Sequence, residues 1–264
     1  MLMASRSIIL CADDFGQTMN ISKAIIQLCQ QGRINAVSCM VNGEAFISHI
    51  LDLKATGVLL GLHLNLTHGK ALVSGEAHLS LSALLQAVYL SKCLKPADLY
   101  GEINAQIKAF KQVTGQYPQF IDGHQHVHQL PVIREALLQA IDTCGFKPWF
   151  RTTYTQLKQL RSLKGLALYL LGGKAFAKKI KQANFETCSG FAGAYPLNRS
   201  GKYPARFRSF LKQIPDGGLI MCHPGFDGQD AQDPIANIRV EEYQYLSSPA
   251  FLVDLVRENI NLLI

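Results

Sequence analysis

Short apolar runs alternate with stretches of helical period along the whole chain. Runs rich in Ile, Val, Leu and Phe fall at 8–12, 36–41, 58–66, 120–128, 149–152 and 219–223, each of strand length. Between them, Ile21, Ala24, Ile25 and Leu28 recur at helical spacing ahead of Gly32. The helical patterns of 99–113 and 132–144 stop at Gly115 and Gly145, where glycine can take the left-handed backbone that ends a helix. Strands alternating with helices predict a mainly parallel sheet. No linker or low-complexity segment interrupts the 264 residues, so the pattern predicts one α/β domain over 1–264, a distorted (β/α) barrel rather than an open doubly wound sheet. Such a barrel carries its chemistry at the C-terminal ends of its strands.

Composition narrows the classes. With 48% hydrophobic and 17% charged residues, the chain is neither disordered nor fibrous. It has no apolar stretch of the roughly 18 to 20 residues that a membrane span needs, and the early run at 7–12 is too short for a signal peptide, so a cytoplasmic protein is expected. Seven cysteines with no Cys-x-x-Cys pair suit reduced thiols. The net charge of +7 is unevenly spread. No carboxylate lies between Asp142 and Glu186, a segment with nine lysines and arginines, and leucines recur at 157, 160, 163, 166, 170 and 171. The expected form is a solvated helix face over a leucine core, with peripheral membrane contact through 157–181 as the alternative. Nucleic acid is not an expected partner, because no basic patch interleaved with aromatics is present.

Four of the runs end in polar residues. The first leads into Ala12-Asp13-Asp14-Phe15-Gly16 and the third carries Gly61-Leu62-His63-Leu64-Asn65-Leu66-Thr67. The fourth carries Asp122-Gly123-His124-Gln125-His126-Val127-His128, and the last ends Cys222-His223-Pro224-Gly225. Adjacent aspartates at the end of an apolar strand repel one another, so a cation or a shared proton would hold them. Such a pair also caps a helix or closes a turn, and both readings stay open. In an extended strand His63, Asn65 and Thr67 share one face and the three leucines the other; His63 is then either a ligand or a core histidine. His124, His126 and His128 would also share a face. At about 6.6 Å per two residues the outer pair sits about 13 Å apart, too far for one ion that imidazole binds at about 2.1 Å. That leaves one of them as a ligand with two lining a polar cleft, or His-x-His ligation, with Asp122 orienting His124 or lying on the surface.

In this order and spacing the four motifs resemble the YdjC-like carbohydrate deacetylases, the family that includes chitooligosaccharide deacetylase. The agreement covers nearly the whole chain, including Arg239-Val-Glu-Glu-Tyr near the C-terminus. The resemblance implies a distorted (β/α) barrel, one divalent metal ion, zinc or magnesium, and removal of acetyl groups from N-acetylated amino sugars. It implies Asp14, His63 and His124 as metal ligands, Asp13 as general base, His223 as general acid and Arg151 as the residue that orients Asp13. Asn65, His126 and His128 are left to contact substrate or to support the ligands, and the 186–191 loop to line sugar subsites. A homodimer is the partner state that the family implies.

Chemistry accounts for these residue types independently. An amide resists water, so its carbonyl must be polarised, the water's proton taken by a carboxylate, and the departing amine protonated by an acid such as imidazole. Three other readings compete. A phosphoesterase or amidohydrolase would use similar ligands, but phosphate chemistry usually takes two metals and a bridging carboxylate. A non-catalytic carbohydrate-binding protein would have lost Asp13 or His223, and both are present. A glycolipid, the substrate type of a hopanoid-associated branch of the family, would suit the basic segment at 157–181.

Overall fold

The structure is a computed structural model that describes residues 5–91, 93–153, 172–196, 201–227 and 233–263. Its sheet is built from β1 (Arg6–Phe15), β2 (Ala36–Cys39), β3 (Leu59–Leu64), β4 (Phe120–Gly123), β5 (Trp149–Phe150), β6 (Phe191–Ala192), β7 (Leu219–Cys222) and β8 (Ile260–Leu262). The helices around it are α1 (Met19–Gln30), α2 (Phe46–Lys54), α3 (Leu81–Gln86), α4 (Pro96–Thr114), α5 (Ile133–Cys144), α6 (Lys174–Gln182), α7 (Tyr203–Gln213), α8 (Ala236–Ser247) and α9 (Pro249–Arg257). All strand pairings are parallel, in the order β5-β4-β3-β2-β1-β7-β6, with β8 joining the start of β1. Asn35 splices β8 and β2 onto the same edge of β1, accepting from Leu10 N–H and donating to the carbonyls of Ile8 and Leu263.

The sheet curls until its ends meet. Phe150 lies opposite Thr187 in a parallel bridge and its N–H donates to the Glu186 carbonyl, while the same segment runs on into β6 beside β7. The 186–191 segment therefore closes the barrel instead of lining a sugar site. The expectation of a distorted, mainly parallel (β/α) barrel describes this architecture.

Alternation sorts the strands' side chains into two layers. Ile8, Leu10 and Ala12 of β1 and Leu60, Leu62 and Leu64 of β3 face the helices and join the main core. Ile9, Cys11, Phe120, Leu219 and Met221 fill the barrel interior as a smaller cluster. There the Phe120 ring stacks on Trp149 at 4.6 Å, which makes Trp149 part of the barrel floor. Gly61 has no room for a side chain, because a Cβ would lie 2.3 Å from that ring. Above this floor the interior face turns polar, with Asp13, Ser38, His63, Asp122 and Arg151 buried one strand step higher.

Helix ends follow local rules. Pro96 begins α4, and Gly115 and Gly145 end α4 and α5 in left-handed conformation, φ 80° and 67°. Of the basic stretch at 157–181, residues 157–171 lie outside the described residues. The rest enters α6, which buries Phe176 and Ile180 and exposes Lys174, Lys178 and Lys181. Among the described residues no helix is long and apolar enough to cross a membrane.

Candidate active site

The paired aspartates face the barrel mouth because β1 is irregular. Ala12 lies opposite Val37 and Phe15 opposite Cys39, so β1 spends one residue more than β2 between them, and Asp14 takes a left-handed backbone, φ 67°. A regular strand would send neighbours to opposite faces; this bulge turns both carboxylates inward, and aspartate tolerates the backbone better than most residues. The helix-cap reading falls away, since Thr18 caps α1 through Oγ1, which accepts from Ile21 N–H.

Asp14 Oδ1 lies 2.9 Å from His124 Nδ1 and 3.3 Å from His63 Nε2. The candidate ligand atoms of these three residues all fall within 4.8 Å of one another. Arg239 of α8 holds the other Asp14 oxygen, Oδ2, at 2.9 Å. Burial pushes the Asp14 carboxyl up, but Arg239 and then His124 outweigh it and hold the group well below the usual carboxylate range.

His63 is fixed from behind. Its Nδ1 donates at 2.6 Å to Asp122, the residue directly opposite it on β4, and Asp122 also accepts from Ser38 and pairs with Arg151. Nε2 is thereby left to face Asp14. Buried carboxylates on both sides of one imidazole call for positive charge: burial lowers the His63 pKa, yet Asp122 and then Asp13 raise it to about 10. A divalent cation answers the same call. One carboxylate and two imidazole nitrogens make a donor set suited to zinc and acceptable to magnesium, and a carboxylate behind the histidine is the usual support of such a ligand. The residues therefore fit a metal.

The other carboxylates already have their cation. Arg151, fully buried, reaches both Asp13 oxygens through Nη1 at 2.9 Å and pairs with Asp122 through Nη2. Cys11, Asp13 and Asp122 also cluster closely enough to hold an ion, but the Arg151 guanidinium is paired with both of those carboxylates. Burial raises Asp13 in spite of Arg151, whereas Arg151 and then His63 overcome burial and hold Asp122 at about 2. His223, just past β7, places Nε2 3.9 Å from Asp13 Oδ2. Asp13, Asp14, His63, His124 and His223 line a cavity of about 800 Å³ whose walls include Asn42, Lys70, Leu81 and Ile235.

Three expectations from the sequence change. The histidine run is not a strand: β4 stops at Gly123, and residues 124–129 form a tight turn with Gln125 and His126 at φ 52° and 61°. The three rings diverge accordingly. His124 meets Asp14, His126 reaches the cavity wall edge-on to Phe191, and His128 turns inward, donating through Nε2 to the Arg151 carbonyl at 3.0 Å. Asp122 supports His63, not His124. Asn65 is buried and does not itself line the cavity; it folds its own loop, accepting from the N–H groups of Thr67 and His68 and donating to the His68 carbonyl and to Asn42 Oδ1 of the cavity wall. Ser38, Arg239 and Glu242 have places around the site that sequence reasoning assigned to none of them. Only Arg239 and Glu242 carried a signal, as part of the C-terminal motif.

The chain resembles a family 4 carbohydrate esterase from Streptomyces lividans, solved with acetate, at TM-score 0.51 and 10% identity, covering 99% of this chain and 94% of that one. It resembles a structure from Enterococcus faecalis V583, named for a proposed cleavage of cellobiose phosphate, at TM-score 0.75 and 18% identity, over 98% and 97% of the two chains. At these identities the likeness concerns the fold. The sequence profile of the YdjC-like protein family matches residues 7–257, and the chain belongs to that family. It is 25% identical over 295 aligned positions to the carbohydrate deacetylase of Homo sapiens, covering 97% of this chain and 88% of that protein. It is 26% identical over 258 positions to the chitooligosaccharide deacetylase of Escherichia fergusonii, covering 92% and 91%. These relatives put the chain among enzymes of the carbohydrate deacetylase class.

Proposed function

We propose that this protein hydrolyses the acetamido group of an N-acetylated amino sugar, a glucosamine-containing oligosaccharide or glycolipid, with one divalent ion held by Asp14, His63 and His124. The observation that carries this reading is the juxtaposition of that donor set with an arginine-held aspartate and a histidine 3.9 Å from it. The ion supplies positive charge that polarises the acetyl carbonyl and acidifies the attacking water. Asp13 takes the proton of that water; its pKa, raised by burial, makes it a stronger base than an exposed aspartate, and Arg151 holds both its oxygens in place. His223, on the far side of Asp13, protonates the departing amine. His126, on the cavity wall, contacts the sugar. His128 and Asn65 act only through the scaffold, in keeping with their burial behind the cavity lining.

Residues 1–264 are taken as one such domain, consistent with the family match over 7–257 and with a single curled sheet. The phosphoesterase alternative loses support because Arg151 is paired with both carboxylates of the second acidic group. The test is acetate release from N-acetylglucosamine, chitobiose, chitotriose and an N-acetylglucosaminyl lipid, using chelated protein and then protein restored with zinc or magnesium. Metal-dependent release from any of them supports the reading and names the substrate class. Absence of release from all four, with metal bound, overturns it.

A further inference from the structure

The helix α8 touches the site twice from one face. Arg239 and Glu242, three residues apart and so on the same side of the helix, are both buried; Arg239 reaches the Asp14 carboxylate and Glu242 the opposite half of the site. Glu242 has no solvent exposure, and its two oxygens each take one donor: Oε2 accepts the backbone N–H of His223, and Oε1 accepts the Tyr195 hydroxyl. The chain beyond His223 is tied to the same helix, since Gly225 N–H donates to the Arg239 carbonyl, and a Cβ on Gly225 would lie 3.1 Å from the Arg239 side chain. β7 ends at Cys222, so no strand partner satisfies the His223 N–H; Glu242 does.

From this geometry we infer that Glu242 is a positioning residue for proton donation, fixing the backbone of His223 so that its ring stays opposite Asp13. The inference rests on the deacetylase reading, in which His223 is the acid. A buried carboxylate is a costly way to satisfy one N–H unless the position it sets matters. Burial raises the Glu242 carboxyl to about 7, although Tyr195 and the His223 N–H pull the other way, so the group is held there against its preference for water. Reach, not charge, is what the role requires. Glutamine retains an oxygen for the His223 N–H and can donate its amide to the Tyr195 oxygen, whereas aspartate is one methylene too short to span both partners.

The leaving group separates positioning from general damage. An amine departs only when protonated, but p-nitrophenolate leaves as the anion without a proton, so a fault confined to the acid slows amide hydrolysis and spares p-nitrophenyl acetate. With the zinc-loaded enzyme, Glu242→Asp is expected to lower kcat for the N-acetyl substrate roughly tenfold or more, with KM and bound metal unchanged and ester hydrolysis within about twofold of wild type. Glu242→Gln is expected to stay within about threefold on both substrates. The inference is overturned if Glu242→Asp matches wild type on the amide, if it loses amide and ester hydrolysis in equal proportion, or if Glu242→Gln is as damaging as Glu242→Asp. His223→Ala is the control. If it fails to discriminate amide from ester, the assignment of the acid is at fault; if it discriminates and Glu242→Asp does not, the positioning role alone fails.

Discussion

At the residue scale, two aspartates that are neighbours in sequence have different electrostatic settings. Asp14 faces two imidazoles and has one oxygen held by Arg239, whereas both Asp13 oxygens are taken by Arg151. Asp13→Asn should therefore retain the metal and lower kcat about a hundredfold or more, because it removes a base without removing a ligand. Metal content and acetate release measured on the same preparation check this, and loss of the metal would exchange the roles given to the two aspartates. Asp122 lies outside the cavity lining but supports both His63 and Arg151. Asp122→Asn should weaken metal binding by about ten- to a hundredfold, since the carboxylate behind a ligating histidine sets its orientation and basicity. A zinc titration with a competing chelator reads this directly, and unchanged affinity would remove Asp122 from the metal's support.

At the element scale, the site depends on places where strands stop being regular. The bulge in β1 turns two successive aspartates to one side, and the turn after Gly123 breaks a run of alternating histidines so that only His124 reaches Asp14. The strands beneath are tightly fitted. Gly61 on β3 leaves space for the Phe120 ring, which is pinned by Trp149 and cannot retreat. Gly61→Ala should cost about 1 to 3 kcal/mol through overpacking. Urea denaturation gives the value, and Phe120→Leu in the same chain should restore most of it. A Gly61→Ala protein as stable as wild type would show that the barrel floor yields.

At the scale of the whole molecule, buried ionisable groups make stability depend on pH in opposing directions. Burial lowers the His128 pKa from 6.5 to about 4, so the folded protein keeps the ring neutral where the unfolded chain binds a proton. Its contribution is complete above about pH 6.5 and is lost as pH falls toward 4, amounting to about 3 kcal/mol. Glu242 behaves oppositely: burial raises it from 4.5 to about 7, so its contribution is complete below about 4.5 and lost as pH rises through 7. Denaturation of wild type and His128→Asn at pH 7 and pH 5 isolates the first effect. The acid loss of stability should be smaller in the variant, and equal losses would mean that His128 is not the group responsible.

The apolar runs and their glycine stops were enough to predict a parallel barrel and the positions of β1, β2, β3, β5 and β7, because strand and helix periods are local properties of the chain. The short strands β6 and β8 carry too few residues to show a period, and they exist only because neighbouring strands offer hydrogen bonds. The polar strand ends likewise marked the aspartate pair, His63 and the histidine run as candidates, since residues at the mouth of a barrel converge whatever lies between them in sequence, and the family resemblance singled out Asp14, His63 and His124 among them. What tertiary structure alone decided is which side chains meet. Bulges, turns and cross-strand register are set by packing between distant segments. They assigned Asp122 to His63, sent His128 and Asn65 into the scaffold, and brought Arg239 and Glu242 from the far end of the chain against Asp14 and His223.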